Sequence, residues 1–255
     1  HNLYYLDVKY FKMKKLFTLL ILSISFNMSS QTGNTNYGTN ALSNNIGDYN
    51  TAFGYQSLEN NSSGDYNTAL GVSALRSITT GNANTGIGSF ALYYNTQGLW
   101  NVGVGYYSLF ANTGSGNTAV GFRSMMDNTT GGDNSAFGFH SLALNSEGDY
   151  NTGVGRRALY SNTTGSDNVA VGDYALNNNV TGNYNVAIGR SALAANTTAN
   201  NNTAIGYESL TTNTTGTANT GVGRTSLNAN STGSNNTSVG MGSLESNTTA
   251  DNNTA

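Results

Sequence analysis

The segment NTAFGYQSLENNSSGDY (residues 50–66) is followed at once by NTALGVSALRSITTGNA (67–83) and then by NTGIGSFALYYNTQGLW (84–100). Each segment has a glycine after an apolar residue, an asparagine four positions before that glycine and a leucine four positions after it. The glycines recur every 17 residues, with two steps of 16, from Gly38 to Gly54 and from Gly105 to Gly121. A short unit repeated at a fixed period predicts an array of stacked coils.

Three columns of this array are nearly constant, and they are the structural site residues that the sequence predicts. The anchor glycines are Gly54, Gly71, Gly88, Gly105, Gly121, Gly138, Gly155, Gly172, Gly189, Gly206, Gly223 and Gly240. The ladder asparagines are Asn50, Asn67, Asn84, Asn101, Asn117, Asn134, Asn151, Asn168, Asn185, Asn202, Asn219 and Asn236. The core leucines, with one methionine among them, are Leu58, Leu75, Leu92, Leu109, Met125, Leu142, Leu159, Leu176, Leu193, Leu210, Leu227 and Leu244.

The residues between the ladder asparagine and the anchor glycine have the alternation of a short β-strand. The threonine row comes first and contains Thr, Val or Ser, as in Thr68 and Val186. The apolar row comes two positions later, as in Phe53 and Ile188, and the small column of Ala, Gly or Ser lies between them. We expect the threonine and apolar rows to face inward. The small column then faces outward, toward a closely approaching backbone.

The second half of the unit contains a turn and an ambiguous segment. The usual turn, NTTG at residues 162–165, is one residue shorter at residues 112–114. Since a strand cannot lose a residue without reversing its faces, we interpret this segment as a surface turn whose Asn and Gly adopt positive φ. The five residues from the anchor glycine to the core leucine are either a second strand or one helical turn, with the leucine inward.

The fold class that follows is all-β: a β-solenoid or parallel β-roll built from 17-residue repeats. One repeat has about two large apolar side chains, too few to offset the entropy of ordering it alone, so neighbouring coils must stack. About thirteen coils would form a rod roughly 60 Å long, at about 4.8 Å per coil.

The two ends of the chain divide it into three parts. Residues 13–30 begin with Met-Lys-Lys, followed by an apolar run too short to span a membrane comfortably, and we interpret them as a signal peptide, with an uncleaved anchor as the alternative. Residues 1–12 precede the expected start, and we interpret them as an upstream, non-native leader. Residues 31–255 are the repeat solenoid, and we expect them to be truncated at the C-terminus because DNNTA (251–255) opens another unit without a cap.

The composition offers no catalytic machinery. The chain has no Cys, only 9% charged residues and a net charge of −3. Its arginines are scattered along the chain, and we interpret them and His140 as solvated side chains, which argues against nucleic-acid binding. We expect no enzymatic activity, no cofactor and no metal. A weak Ca²⁺ edge formed by Asp48, Asp65 and Asp149 is the alternative for the acids.

Aromatic residues recur next to the constant columns. Tyr55, Tyr106, Phe122, Phe139 and Tyr207 follow an anchor glycine, whereas Tyr49, Tyr66, Tyr150 and Tyr184 precede a repeat asparagine. Two interpretations stay open. The rings stack and stabilise neighbouring coils, or they form exposed ladders that bind sugars or other surfaces.

The segments NVAIGRSAL (185–193) and NTAIGYESL (202–210) resemble the head repeats of trimeric autotransporter adhesins. Similar NTAxG repeats also resemble those of phage and bacterial tail-fibre-type proteins, which end in a self-cleaving chaperone domain. The chain departs from the adhesin pattern because its repeat unit is longer and contains a recurring leucine that the adhesin unit lacks. The resemblance implies a passive fibre or head module, secreted or on the surface of a Gram-negative-type bacterium. Its partner would be an unknown surface, glycan or protein ligand.

Two further expectations concern partners. Self-association, as a homotrimer, would bring three chains together at the small column. The competing function is an ice- or crystal-surface-binding solenoid, favoured by the regular threonine row but disfavoured by the inward face that alternation predicts for it. An enzyme such as a glycan-cleaving β-helix would need a local cluster of acids, which the sequence lacks.

Overall fold

The computed structural model describes residues 32–255. The predictions for the leader and the signal peptide lie outside these residues. The strands are β1 (Thr35–Tyr37), β2 (Thr51–Phe53), β3 (Thr68–Leu70), β4 (Thr85–Ile87), β5 (Val102–Val104), β6 (Thr118–Val120), β7 (Ser135–Phe137), β8 (Thr152–Val154), β9 (Val169–Val171), β10 (Val186–Ile188), β11 (Thr203–Ile205), β12 (Thr220–Val222) and β13 (Thr237–Val239).

The strands pair in chain order and form one parallel sheet of 13 strands. Equivalent residues of successive repeats are partners: Thr68 pairs with Thr85 and Leu70 with Ile87. Each coil therefore lies directly on the previous one, including at the two shortened repeats, where Val102 still pairs with Thr118. The prediction of an all-β solenoid with 17-residue repeats is confirmed, and the described residues contain no helix.

The core leucines occupy the interior of the coils. Those from Leu58 to Leu227, with Met125, are fully buried, and Leu244 in the last coil is partly buried against them. Neighbours in this column are one coil apart, so leucine packs on leucine along the rod.

The orientation predicted for the strand was wrong. The small column is the buried one, and the threonine and apolar rows face outward, with Phe137 41% and Ile188 39% exposed. A Cβ added to Gly86 would lie 3.1 Å from Cγ of Leu75 in the preceding coil. Because that leucine already fills the space behind the strand, only a small side chain fits there.

The segment from the anchor glycine to the core leucine is neither of the two predicted forms. Its φ angles alternate in sign, and they are positive at Ser73 (54°) and Leu75 (52°). A left-handed L-residue costs about 1–2 kcal/mol. Hydrogen bonds in both directions offset this: Ser73 N donates to Tyr55 O in the preceding coil at 2.8 Å, and Leu75 N donates to Ala91 O in the next at 2.9 Å.

The NTTG turn also differs from the prediction, because its glycine does not have positive φ. The left-handed residue lies just before the repeat asparagine instead, as in Tyr66 (59°) and Asp133 (55°). The turn glycine is required by close approach: a Cβ added to Gly131 would lie 2.5 Å from the carbonyl oxygen of Gly148 in the next coil. The anchor glycines combine both needs, since Gly138 has a φ of 138° and its added Cβ would lie 2.5 Å from Gly155 O.

Candidate functional surfaces

The ladder asparagines form a continuous buried hydrogen-bonded column, which we call the first asparagine ladder. Asn134 is representative. Its backbone N–H donates to Oδ1 of Asn117 in the preceding coil at 3.0 Å, and its Nδ2 donates to Gly148 O across its own coil at 2.8 Å. Its Oδ1 accepts the backbone N–H of Asn151 at 2.8 Å. The side chain thus supports the backbone of the next coil, which explains why no other residue replaces it.

The sequence interpretation missed a second asparagine ladder. The asparagines of the turns, which we expected at the surface, are buried in the coil interior. Nδ2 of Asn145 donates to Oδ1 of Asn128 in the preceding coil at 2.7 Å and to Gly148 O in its own coil at 2.9 Å. The members of this second ladder are Asn45, Asn61, Asn95, Asn112, Asn128, Asn145, Asn162, Asn179, Asn196, Asn213, Asn230 and Asn247.

The two ladders meet at one carbonyl in each coil where both have an asparagine. Gly131 O accepts from Asn117 Nδ2 of the first ladder at 2.8 Å and from Asn128 Nδ2 of the second at 2.9 Å. The interior is therefore half apolar and half a satisfied amide network, not a dry column of leucines and β-branched residues. Stacked identical amides polarise one another in a low-dielectric interior, which favours this register over any other.

The outer face of the sheet is a regular strip. The threonine row is partly exposed from Thr51 to Thr220, and the apolar row beside it contains exposed Phe53, Leu70 and Ile205. Each row has one side chain per coil, about 4.8 Å apart. The small column, where we expected three chains to meet, is buried inside the coil and is closed to another chain.

A second exposed feature, the aromatic–arginine surface, follows the anchor glycines of neighbouring coils. It consists of Phe90, Tyr93, Tyr94, Tyr106, Tyr107, Phe110, Phe122, Arg123, Phe139, His140, Arg157 and Tyr160. Ring contacts join these residues into one network. For example, Phe90 lies 5.1 Å from Tyr107, and His140 lies 5.9 Å from Tyr160, measured between ring centroids.

The geometry of this surface determines what it offers to a ligand. The rings of Tyr106 and Phe122 are 5.6 Å apart at 17°, and those of Phe122 and Phe139 are 5.4 Å apart at 8°. Because the rings stack along the rod, neighbouring coils cover their faces, while the side chains stay 40–46% exposed. Their edges, which carry the positive end of the ring quadrupole, are thus what a ligand meets.

Cationic groups lie among the rings. The guanidinium carbon of Arg123 is 5.2 Å from the centroid of Phe122, and that of Arg157 is 5.1 Å from Tyr160. His140 lies between these arginines, and burial together with their two charges lowers the pKa of His140 below its ordinary value. Burial raises the pKa of the nearby Asp127 carboxyl, and the charge of Arg123 opposes that rise.

Only part of this surface was visible in the sequence. The stack of Tyr106, Phe122 and Phe139 contains three of the aromatics that were singled out. Phe90, Tyr93, Tyr94, Tyr107, Phe110 and Tyr160 were missed. The signal was present as a local enrichment, SFALYY at 89–94 and YYSLF at 106–110.

The other predicted aromatics lie elsewhere. Tyr49 and Tyr66 stack at 5.1 Å and 6° on the edge that precedes the strands. Tyr150 and Tyr184 are exposed on that same edge, and Tyr207 contacts Arg190 and Arg224. Tyr55 is exposed beside the first coils.

The aspartates that suggested a Ca²⁺ edge have a structural role. Asp65 Oδ1 accepts the backbone N–H of Asp48 in the preceding coil at 2.8 Å, and Asp149 Oδ1 accepts that of Gly132 at 2.7 Å. Asn or Ser takes the same part in other coils, as when Asn82 Oδ1 accepts from Asp65 N at 2.8 Å. Within residues 32–255, no group of three or more His, Asp or Glu side chains is placed to hold a metal ion.

Several Asn-x-Thr sequons lie in the second ladder. Asn128, Asn162 and Asn213 are fully buried and hydrogen-bonded through Nδ2. A glycan on that nitrogen is incompatible with the folded coil. In the same described part of the chain, no helix is long and apolar enough to cross a bilayer.

Comparison with known proteins found no matching family model, no matching curated protein and no matching solved structure.

Proposed function

We propose that this chain is a structural or adhesive module of an extracellular fibre, which holds a binding face away from the cell. In this proposal the chain has no catalytic role, is secreted or displayed on a Gram-negative-type bacterial surface, and binds a glycan or protein there. The observation that carries the proposal is the exposed aromatic–arginine surface on a regular rod. Monomeric proteins rarely expose contiguous apolar surface unless it binds something, and Tyr, Trp and Arg are the residues most enriched in binding hot spots.

The interior supports the same role. Two amide ladders and the inter-coil backbone bonds run along the rod, so each coil is fixed relative to its neighbours. A fibre needs such stiffness, and rigid presentation lowers the entropic cost of binding.

Self-association, as three copies, remains part of the proposal, with a different contact. The small column is inside the coil, so the contact in this proposal is the outward apolar row. Multi-angle light scattering on the chain at micromolar concentration tests it. A trimer that becomes a monomer when Phe137 and Ile205 are both changed to Lys would support that contact, and a monomeric starting protein would contradict it.

An array of defined glycans and extracellular proteins tests the adhesive function. We expect saturable binding that is lost in the double variant Tyr106→Ser, Phe139→Ser. Tyr207→Ser, which removes an exposed aromatic outside the surface, is the matched control and should bind normally. Equal loss in both variants, or no binding to any member of the array, would argue against an adhesive module.

Ice or crystal-surface binding is the second candidate, because one observation now favours it. The expectation that the threonine row faces inward was wrong, and the row forms a regular outer strip with the apolar row. Thermal hysteresis measures this activity. If it is present, changing Thr152 and Thr203 to Lys should abolish it, whereas Thr163→Lys at a turn should not. A chain without hysteresis would exclude ice as the bound crystal.

A further inference from the structure

Most arginines of this rod lie along one edge, and half of its acidic residues lie along another. Five of the six arginines in residues 32–255 occupy the two positions after an anchor glycine: Arg123, Arg156, Arg157, Arg190 and Arg224. The two positions before a repeat asparagine hold Asp48, Asp65, Asp133, Asp149, Asp167 and Asp251. The arginines are scattered along the chain, but the coil repeat brings them to one edge. Asp173 and Glu208 lie at the same positions, so this edge holds five arginines and two acids on a chain whose net charge is negative.

Four of these five arginines have no ion pair, and Arg123 and Arg157 are the two that belong to the aromatic–arginine surface. The ion pairs among the described residues are Arg76–Glu59 and Arg156–Asp173. Arg123 and Arg157 instead lie against rings, and Nε of Arg123 is buried without a hydrogen-bond partner. A guanidinium has five donors suited to carboxylate or sulfate oxygens, so these two side chains retain unused capacity for an anion.

The stacked rings add to this preference. Their exposed edges carry positive partial charge, and His140 between the two arginines becomes a third cation when it is protonated. The surface extends along the rod through successive coils, from Phe90 to Tyr160. Its first two coils contribute rings alone, and the next three add Arg123, His140 and Arg157, one to each coil. It therefore suits a linear ligand with repeated anionic groups better than a small molecule.

We infer that the aromatic–arginine surface binds an acidic polysaccharide, with Arg123 and Arg157 pairing with its carboxylate or sulfate groups. This inference rests on the proposed function and specifies the ligand class. Two other linear anions fit less well. Single-stranded nucleic acid stacks its bases on exposed ring faces, which are covered here. An acidic peptide in extended form pairs with a free strand edge, but the backbone here already pairs between coils.

The experiment compares five immobilised probes: polygalacturonate, dextran sulfate, neutral dextran, poly-glutamate and oligo-dT. The whole chain is tested against each by interferometry. We expect binding to one or both acidic polysaccharides, weaker at higher salt, and at least about fivefold weaker binding to the other three. The first two probes distinguish carboxylate from sulfate as the preferred group. Equal or tighter binding to dextran, poly-glutamate or oligo-dT would overturn the inference, as would no binding to either acidic polysaccharide.

Variants locate the site. R123Q/R157Q should weaken binding by about tenfold or more, the equivalent of one charge-assisted hydrogen bond. R190Q/R224Q removes the same charge from the same edge outside the surface and should change binding by less than about threefold. Equal losses would mean that net charge alone matters and would overturn the assignment. Unfolding midpoints within about 2 °C establish that both variants fold. If the chain binds a member of the glycan and protein array but no acidic polysaccharide, the adhesive function stands and only this inference is contradicted.

Discussion

The two asparagine ladders have the same chemistry, but only one of them is interrupted. The first continues through every coil, and the second contains Ile78 in place of an asparagine. In the first ladder each Oδ1 accepts a buried backbone N–H of the next coil, as Asn134 does from Asn151. In the second ladder the amides bond chiefly to one another and to a turn carbonyl, as Asn128 does to Asn112 and Gly131.

The neighbourhood of Ile78 shows why the interruption is tolerated. Gly81 O, which lost one donor, still accepts from Asn67 Nδ2 at 2.8 Å. Oδ1 of Asn61, which lost its side-chain donor in the next coil, accepts the backbone N–H of Gly64 at 3.0 Å. Both acceptors thus keep a donor, and the fully buried isoleucine fills the space. Polar residues are thus indispensable where a buried backbone N–H depends on them, and replaceable where they bond chiefly to each other and to a carbonyl that keeps another donor.

The largest expected effect comes from breaking both ladders at once. In Gly131→Ala the new Cβ would lie 2.5 Å from Gly148 O and 2.7 Å from Asn128 Oδ1. The coils would have to separate, and we expect a loss of about 3 kcal/mol or more in the free energy of unfolding. Urea denaturation measures it. Gly132→Ala is the control, since its Cβ has no neighbour closer than 3.2 Å. Equal costs would refute the convergence of the ladders at Gly131.

The next prediction compares the contributions of the two ladders to the free energy of unfolding. Asn134→Ala leaves the buried N–H of Asn151 without its acceptor, so we expect a cost of about 3 kcal/mol. Asn128→Ala removes only bonds to side chains and to a carbonyl that keeps another donor, so about 1–2 kcal/mol is expected. Chemical denaturation of both variants supplies the comparison. The interpretation fails if Asn128→Ala proves the more costly.

Repairing the interruption should have a smaller effect. Ile78→Asn would join Asn61 to Asn95 through new amide bonds but would remove a buried apolar side chain. These contributions oppose each other, and we expect a net change within about 1 kcal/mol. Ile78→Ala, which removes the packing without adding an amide, should cost about 2–4 kcal/mol. If the asparagine variant is as unstable as the alanine variant, the second ladder contributes little.

The smallest expected effect is on the pH dependence of stability. The ladder amides do not titrate, so only groups outside the ladders contribute to it. The pKa of His140 is lowered by burial and by Arg123 and Arg157, so the unfolded chain binds the proton more readily. His140 therefore contributes stability above its unfolded pKa of about 6.5, and this contribution is lost as pH falls from there through the lower folded pKa. In H140Q, the urea midpoint should fall less between pH 7.5 and pH 5 than in the parent chain. Equal falls would exclude this role.

The sequence predicted the solenoid because the period is a property of the chain. Shortened repeats located a turn, since only a turn absorbs one missing residue without reversing a strand. The sequence could not predict the second ladder, because an asparagine in NTTG fits an exposed turn equally well. The aromatic–arginine surface was also hidden, since residues such as Phe90 and Arg157 are 67 positions apart and become members of one surface only when the coils stack.

By itself the sequence determined the length of the coil, the order and pairing of the strands and the inward column of leucines. Alternation established that the threonine and apolar rows share a face, but alternation is symmetric and does not say which face is inside. Only the tertiary structure decided this. The core leucine already fills the space directly behind the strand, so only small residues fit on the inner face of the strand and the large ones face outward.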